Sequence, residues 1–198
     1  LPAELNLPRL DVEEGNLAAA RDRLQRILQK RPEDPQATFE LAALEEAAGN
    51  DTEALRWLEK LHANDHRNVP ATARLVDLLL RGGMKEKALT VARETSAVAP
   101  EDLAALAALG KVHVALGDDK QAQVFFDRMT RLAAFDAGWQ HRIAQYQLSA
   151  NNPEGAIHSL ERALESEPRH LPALVLLTEV ELQLSRFEQA EQRARSLA

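Results

Sequence analysis

An unbroken period of 34 residues constrains the fold of this chain more than any other feature of its sequence. When the 198 residues are arranged in rows of 34 from Leu1, place 20 of every row is alanine, without insertion or deletion. Such a period is typical of arrays in which each structural unit stacks on its neighbours. It predicts five complete repeats and a partial sixth, at residues 1–34, 35–68, 69–102, 103–136, 137–170 and 171–198.

Each repeat has the pattern of two helices joined by a tight turn. The apolar side chains of residues 103–109 follow the helical period, and place 15 is glycine in four of the six repeats. Glycine at that place supplies the left-handed residue that ends the first helix. Asp or Asn at place 34 predicts N-caps for four first helices, and Asn50 and Asp118 have capping-box spacing before second helices.

Small side chains at places 8 and 20 predict that the two helices of a repeat cross closely. Place 8 is small in three repeats, as Ala42, Gly110 and Ala144, whereas Pro8 is a departure. Because proline removes a helical hydrogen bond, we expect the first helix to begin near Pro8 or to be short. The predicted fold is all-α, with antiparallel helix pairs stacked as a right-handed α-solenoid of helix-turn-helix repeats.

The repeat pattern resembles that of the tetratricopeptide repeat (TPR) over the whole chain. The shared features are Leu at place 7, a small residue at 8, Gly at 15, Ala at 20, a large apolar residue at 24 and Pro at 32. The family's Trp at place 4 is missing, and aromatics at places 11 and 24 are mostly aliphatic here. The resemblance implies a scaffold for protein–protein interaction that has no catalytic site and no cofactor.

The amino-acid sequences of several repeats also resemble those of the TPR lipoproteins of the PEP-CTERM/exosortase systems. The residues concerned are 47–60, 87–93, 98–102 and 167–173. Those proteins are long repeat proteins tied to exopolysaccharide production and export in Gram-negative bacteria. The resemblance implies a scaffold that is periplasmic or tethered to the outer membrane, while a cytoplasmic location stays open.

The TPR resemblance also implies where a ligand binds, because first helices line the concave groove of such arrays at places 2, 5, 6, 9, 12 and 13. In repeats 3 to 5 the candidate groove residues are Arg74, Asp77, Arg81, Lys111, His141, Arg142 and Gln145. Asp77 is the one acidic residue among them, and Leu80, Val114 and Leu148 form an apolar floor. Such a groove suits a peptide or partner protein with acidic groups or a free carboxylate. Charges that merely solvate an exposed face are the alternative.

Composition excludes several other classes of function. The net charge is −7 and no repeat is basic overall, which argues against a nucleic-acid ligand. Cysteine is absent, so there is no disulfide, thiolate metal site or Cys nucleophile. No apolar stretch approaches the ~20 residues of a spanning helix, so this segment is not expected to insert into a membrane. No phosphate-binding loop or HExxH motif is present.

Two groups of side chains need a separate interpretation. His62 and His66 have the i, i+4 spacing of metal ligands, but no third ligand is near in sequence and His66 replaces the proline that ends a repeat. We therefore interpret them as a surface pair without a metal. Trp57 and Phe125 are expected to pack between neighbouring repeats, whereas Trp139 is either a packing residue or a partner contact at the groove edge.

Both ends of the sequence favour a fragment of a longer repeat protein. The chain begins Leu1-Pro2 without an initiator Met, and Leu197-Ala198 lacks a polar capping helix, so self-association through uncapped ends is expected. Two function classes stay open, a stand-alone scaffold in exopolysaccharide or envelope assembly and the recognition segment of a larger enzyme such as a glycosyltransferase. A cytoplasmic adaptor is a third.

Overall fold

The computed structural model describes residues 3–195 and contains twelve α-helices and no strand within that range. The N-terminal half, Leu1–Ala99, contains α1 (Ala3–Glu13), α2 (Leu17–Lys30), α3 (Pro35–Ala47), α4 (Asp51–Asn64), α5 (Val69–Arg81) and α6 (Lys85–Val98). The C-terminal half, Pro100–Ala198, contains α7 (Leu103–Ala115), α8 (Asp119–Leu132), α9 (Ala137–Ser149), α10 (Pro153–Ser166), α11 (Leu171–Gln183) and α12 (Phe187–Arg195). The all-α fold of tandem helical hairpins is confirmed.

The alanines at place 20 lie where the two helices of each hairpin cross. Five of them are fully buried and Ala190 is 2% exposed. Each lies in a second helix, which packs against the first helix of its own hairpin. The steric reason inferred from the sequence is therefore confirmed, since a larger side chain at this place would hold the two backbones apart.

The turn between the helices of a hairpin ends the first helix as predicted. Place 15 has a positive φ in all six repeats, between 72° and 77° for the four glycines and at 52° and 59° for Asn151 and Ser185. L-residues other than glycine adopt this conformation at a cost, and Asn tolerates it best. The glycines of the pattern are therefore explained by backbone conformation.

The caps between repeats also follow the prediction, with one addition and one correction. All four Asp or Asn residues at place 34 accept a backbone hydrogen bond, and His170 does so too, through Nδ1 from Ala173 N at 3.2 Å. Asp118 caps α8 as expected. Asn50 does not cap α4, because its side chain instead donates from Nδ2 to Glu45 Oε2 at 2.8 Å.

The expectation that the first helix begins near Pro8 is wrong, because α1 begins at Ala3 and continues through the proline to Glu13. The alternative expectation of a short helix holds within the described residues, since α1 has 11 residues and each of the other first helices has 13. A proline inside a helix removes only its own N–H bond, and the helix resumes beyond it. Pro8 is buried, whereas Leu7 and Leu10 are 49% and 50% exposed. The proline thus occupies the buried small-residue place, and the usual leucine places of this helix lie at the surface.

The expectations about the two ends of the chain and about the number of repeats stay predictions. Leu1-Pro2 and Leu197-Ala198, on which the fragment and self-association expectations depend, lie outside the described residues. The interpretation of residues 1–198 as one continuous array also stays a prediction.

Candidate functional site

The first-helix face of the N-terminal half is formed by α3 and α5 and carries an internal ion-pair cluster. Arg74 Nε lies 2.6 Å from Glu46 Oε2, and Arg81 pairs with Glu46 Oε1. The Arg74 guanidinium also lies over the Phe39 ring, 5.5 Å from its centroid. Asp77 is exposed on the same helix. Both arginines thus pair with a single carboxylate of the preceding repeat, which offsets part of their positive charge. Contrary to the prediction from the sequence, Asp77 is not the only acid that opposes them.

A cleft opens on the same half between the first helices α1 and α3. Its lining is mostly apolar and includes Pro8, Val12, Ala43, Leu44 and Ala47. This cleft was not predicted from the sequence, because the candidate groove cations lie in later repeats. The signal that could have found it is the run of small residues at places 9 and 13 of repeat 2.

The first-helix face of the C-terminal half carries cations that lie on aromatic rings. Arg142 is exposed and its guanidinium lies 5.3 Å from the centroid of the Trp139 ring, one turn earlier on α9. Lys111 Nζ, on α7, lies 6.0 Å from the Tyr146 centroid. Among the described side chains, no carboxylate lies within ion-pair distance of Arg142. This face therefore presents positive charge that the chain does not neutralise at Arg142.

Histidines flank these cations on α9 and at the start of α11. The His141 and His170 rings have centroids 5.9 Å apart. Burial lowers the pKa of His141, and the neighbouring His170 and Arg142 lower it further. His141 is consequently neutral at pH 7, when it offers one donor and one acceptor beside the guanidinium. Gln145 is exposed on the following turn and adds an amide.

The structure therefore divides the predicted groove residues into two sets. Lys111, His141, Arg142 and Gln145 belong to the C-terminal half, and Arg74, Asp77 and Arg81 belong to the N-terminal half. Sequence reasoning missed the partners Glu46, Tyr146 and His170. For Glu46, an acid at place 12 facing bases at places 6 and 13 of the next repeat was a usable signal.

The aromatic and histidine assignments have mixed outcomes. Trp57 and Phe125 pack against apolar clusters of their own halves, as expected. His113 is buried and stacks on Phe125, with ring centroids 5.5 Å apart. Trp139 packs against the core and also holds Arg142. The interpretation of His62 as a surface residue is wrong, because its side chain projects from α4, is buried and is only 5% exposed.

No helix within residues 3–195 has the length and apolar character that crossing a membrane requires.

Known proteins of similar sequence and structure agree with the repeat architecture. A thermophilic TPR protein from Thermus thermophilus superposes with a TM-score of 0.68 at 24% identity, covering 90% of this chain and 97% of that one. The pilF protein of Pseudomonas aeruginosa gives 0.69 at 19% identity, covering 98% and 89%. YrrB, a TPR protein with an unusual peptide-binding site, gives 0.57 at 18% identity, covering 87% and 89%. No curated protein matches the sequence.

A sequence model of the tetratricopeptide repeat matches residues 11–79 and 147–198, which together make up more than half of the chain. TPR domains generally bind proteins or peptides and are typically non-catalytic scaffolds. The helical hairpins, the alanine crossings and this match lead to one conclusion, that the chain belongs to the tetratricopeptide repeat family.

Proposed function

We propose that this chain is a scaffold that binds an extended, acidic segment of a partner protein on the first-helix face of its C-terminal half. The observation that carries the proposal is Arg142, which is exposed, held over Trp139 and without a carboxylate partner among the described side chains. A guanidinium fixed on an aromatic ring loses little conformational freedom when it binds a carboxylate. That arrangement favours binding over simple solvation of the surface.

The neighbouring groups extend the binding surface along α7 and α9. Lys111 supplies a second cation, and Gln145 and neutral His141 supply hydrogen-bonding groups for a peptide backbone. Leu148 is half-buried on the same helix and offers apolar contact between the polar groups. Polar groups spaced around apolar contacts are what an extended peptide with alternating side chains requires.

The N-terminal half is the weaker candidate for an acidic ligand. An incoming carboxylate would have to compete with Glu46 for Arg74 and Arg81. Its apolar cleft between α1 and α3 is better suited to an apolar side chain of the partner. The two halves therefore offer different chemistry to a ligand.

Reversing the charge of Arg142 is expected to weaken acidic-peptide binding about tenfold, which corresponds to ~1.4 kcal/mol. Peptides are first selected on the wild-type chain from a displayed library with random Asp, Glu, Lys, Arg and apolar positions. The dissociation constant of the best peptide is then measured for wild type and Arg142→Glu by fluorescence anisotropy. Binding should also weaken as salt rises, because exposed charges are screened.

Arg131→Glu is the matched control, since Arg131 is an exposed arginine in the last turn of the second helix α8. The proposal requires that this variant bind like wild type. Equal affinities for all three proteins, or selected peptides without enrichment in Asp and Glu, would show that the first-helix face of this half is not the acidic-peptide site.

For the wider role, the favoured setting is exopolysaccharide or envelope assembly and export, with the scaffold on the outer side of the inner membrane. This proposal is supported by the amino-acid sequence of residues 47–60, 87–93, 98–102 and 167–173, which resembles that of exosortase-linked TPR lipoproteins. The alternatives remain the recognition segment of a larger enzyme and a cytoplasmic adaptor.

Fractionation of the source cells tests this location. Antibody against the chain should detect it in the periplasmic or outer-membrane fraction, and externally added protease should digest it only after the outer membrane is opened. Recovery with cytoplasmic markers would rule out the envelope role while leaving the peptide-binding proposal intact.

A further inference from the structure

We infer that the N-terminal half carries a divalent transition-metal site of the zinc class, formed by His62, His66 and Glu94. Each residue offers one ligand atom, and the three atoms lie within 4.8 Å of one another. This site is separate from the first-helix face described above, since its helical ligands belong to the second helices α4 and α6.

Two of the three distances between the ligand atoms are close to those around a tetrahedral ion. His62 Nε2 lies 2.9 Å from Glu94 Oε2 and 3.3 Å from His66 Nδ1. Metal–ligand bonds of ~2.0–2.2 Å place neighbouring ligand atoms of a tetrahedral zinc about 3.3 Å apart. An ion can therefore enter between these groups with small side-chain adjustments.

The repeat architecture brings the three groups together across two adjacent repeats. His62 lies in the last turn of α4, His66 in the turn that follows it, and Glu94 on α6 in the next repeat. Proline usually occupies place 32 of a repeat here, so His66 replaces a turn residue that has no ligand atom. The third ligand was invisible to local sequence spacing because it lies 32 residues from His62.

Buried hydroxyls orient the His62 ring in the way that metal-bound histidines are oriented. His62 Nδ1 lies 3.0 Å from Thr72 Oγ1, which lies 2.9 Å from Thr95 Oγ1, and both threonines are fully buried. When Nδ1–H donates to Thr72, Nε2 directs its lone pair at Glu94 and His66. Histidines that bind metals characteristically donate their second ring N–H to such a partner.

If Nε2 of His62 carries the proton, it can donate a hydrogen bond to Glu94, but that bond does not involve His66. His66 Nδ1 approaches the same nitrogen, and the two rings meet edge to face with centroids 4.6 Å apart. A cation satisfies all three side chains at once. Two imidazole nitrogens and one carboxylate oxygen suit zinc and its neighbours in the transition series better than magnesium or calcium, which prefer oxygen ligands throughout.

Metal binding would join α4 to α6 and leave one coordination position open. His66 and Glu94 are exposed, so the fourth ligand is water or a group of a bound partner. The unfolded chain does not assemble the three groups, and an ion that binds only the folded state raises the unfolding temperature. The site therefore links metal supply to the stability of repeats 2 and 3.

Zinc titration of the tag-free full chain tests the site. After chelator treatment and desalting, calorimetry with Zn²⁺ is expected to show one equivalent bound per chain and a rise in unfolding temperature. His66→Asn and Glu94→Gln change exposed side chains, and each should weaken Zn²⁺ binding roughly tenfold or more. Loss of a residue that only hydrogen-bonds to a metal ligand already weakens metal binding at least about tenfold, so loss of a ligand should weaken it no less. Thr72→Val should weaken it about tenfold without removing a ligand.

His158→Asn is the control, because His158 is an exposed histidine on α10 of the other half. It should bind Zn²⁺ as wild type does. Unfolding temperatures without metal establish that each variant folds. Absence of Zn²⁺ binding by the folded wild type, unchanged binding by His66→Asn and Glu94→Gln, or loss of binding in His158→Asn would overturn the inference.

Discussion

Gly110→Ala is expected to destabilise the C-terminal half by about 2–3 kcal/mol, the upper part of the range for overpacked cores. In the middle of a helix, alanine is ordinarily favoured over glycine by ~1 kcal/mol. Here its Cβ would lie 2.1 Å from Phe126 Cε1 and 2.6 Å from Cζ. Phe126 is fully buried and stacks on Tyr146 at 5.6 Å, so the ring has nowhere to move. The clash therefore outweighs the gain in helix propensity.

Urea unfolding followed by tryptophan fluorescence measures this effect in the half concerned. The chain has two tryptophans, so Trp57→Phe leaves Trp139, which packs in the same cluster as Phe126, as the reporter. Gly138→Ala is the control, because its Cβ meets only Asp136 Oδ1 at 3.3 Å and should change stability by no more than about 0.5 kcal/mol.

Phe126→Leu gives a second check on the cause of the Gly110→Ala effect. Leucine lacks the ring edge that approaches Gly110, so the double variant should be more stable than the sum of the two single effects predicts. Additive effects, or a neutral Gly110→Ala, would mean that the helices do not cross as closely as the structure indicates.

Arg21→Met is expected to destabilise the N-terminal half by about 2 kcal/mol at pH 7.5. Arg21 donates to both carboxylate oxygens of Glu45, from Nε at 2.6 Å and from Nη2 at 2.8 Å. The Glu45 side chain is only 7% exposed, so the substitution leaves a buried charge with Asn50 as its remaining donor. Loss of one partner of a fully buried pair costs ~3–5 kcal/mol, and the partial exposure of Arg21 reduces that figure.

The effect of Arg21→Met should depend on pH in a defined direction. The hydrogen bonds from Arg21 lower the pKa of Glu45 below its ordinary value of 4.5, against the opposing effect of burial. A carboxylate with a lowered pKa stabilises the folded state above the pKa of the unfolded chain, and that contribution is lost as pH falls through the folded pKa. The gap between wild type and variant should therefore narrow below pH 4.5.

Arg23→Met is the matched control on the same helix. Arg23 Nε lies 2.6 Å from Asp11 Oδ2, but its side chain is 45% exposed, so its loss should cost less than ~1 kcal/mol. Both variants are measured by urea unfolding at pH 7.5 and pH 4.0, with Trp57 reporting in a Trp139→Phe background. Equal losses for the two variants, or a gap that widens at pH 4.0, would contradict the account of Glu45.

The hairpin fold was predictable because every repeat solves the same packing problem with the same residue. Ala20 and its five equivalents at place 20 specify where the helices cross, and positive-φ turns specify where each first helix ends. Gly110 opposite Phe126 could be predicted as well, as a small residue at place 8 facing a large one at place 24. These features are local or recur at a fixed distance, so a single sequence reveals them.

The features that sequence reasoning missed depend on contacts between neighbouring repeats. Glu46 pairs with Arg74 and Arg81 from the preceding repeat, and Glu94 reaches His62 from the following one. Both contacts depend on side-chain reach across a helix interface, which the spacing within one repeat does not contain. The predicted Asn50 cap is wrong for a local reason, since its amide donates a hydrogen bond to Glu45, five residues earlier, and not to the helix end.

The same contacts change which half of the chain offers a binding surface. Seven polar groove residues looked equivalent by place number, but the arginines of the N-terminal half already have an acidic partner. In the C-terminal half the Arg142 guanidinium lies on the Trp139 ring instead, and an aromatic contact holds a cation in position without cancelling its charge. We therefore expect acidic-peptide binding on α7 and α9.

Chemical-shift mapping by NMR can locate the bound peptide on the chain. The selected acidic peptide is titrated into labelled full-length chain, and shifts are followed for backbone amides and for the Trp139 indole. We expect the largest chemical-shift changes at four residues of α9 and one of α7, namely Trp139, His141, Arg142, Gln145 and Lys111. Changes confined to the second helices α8 and α10, or to the N-terminal half, would contradict this expectation.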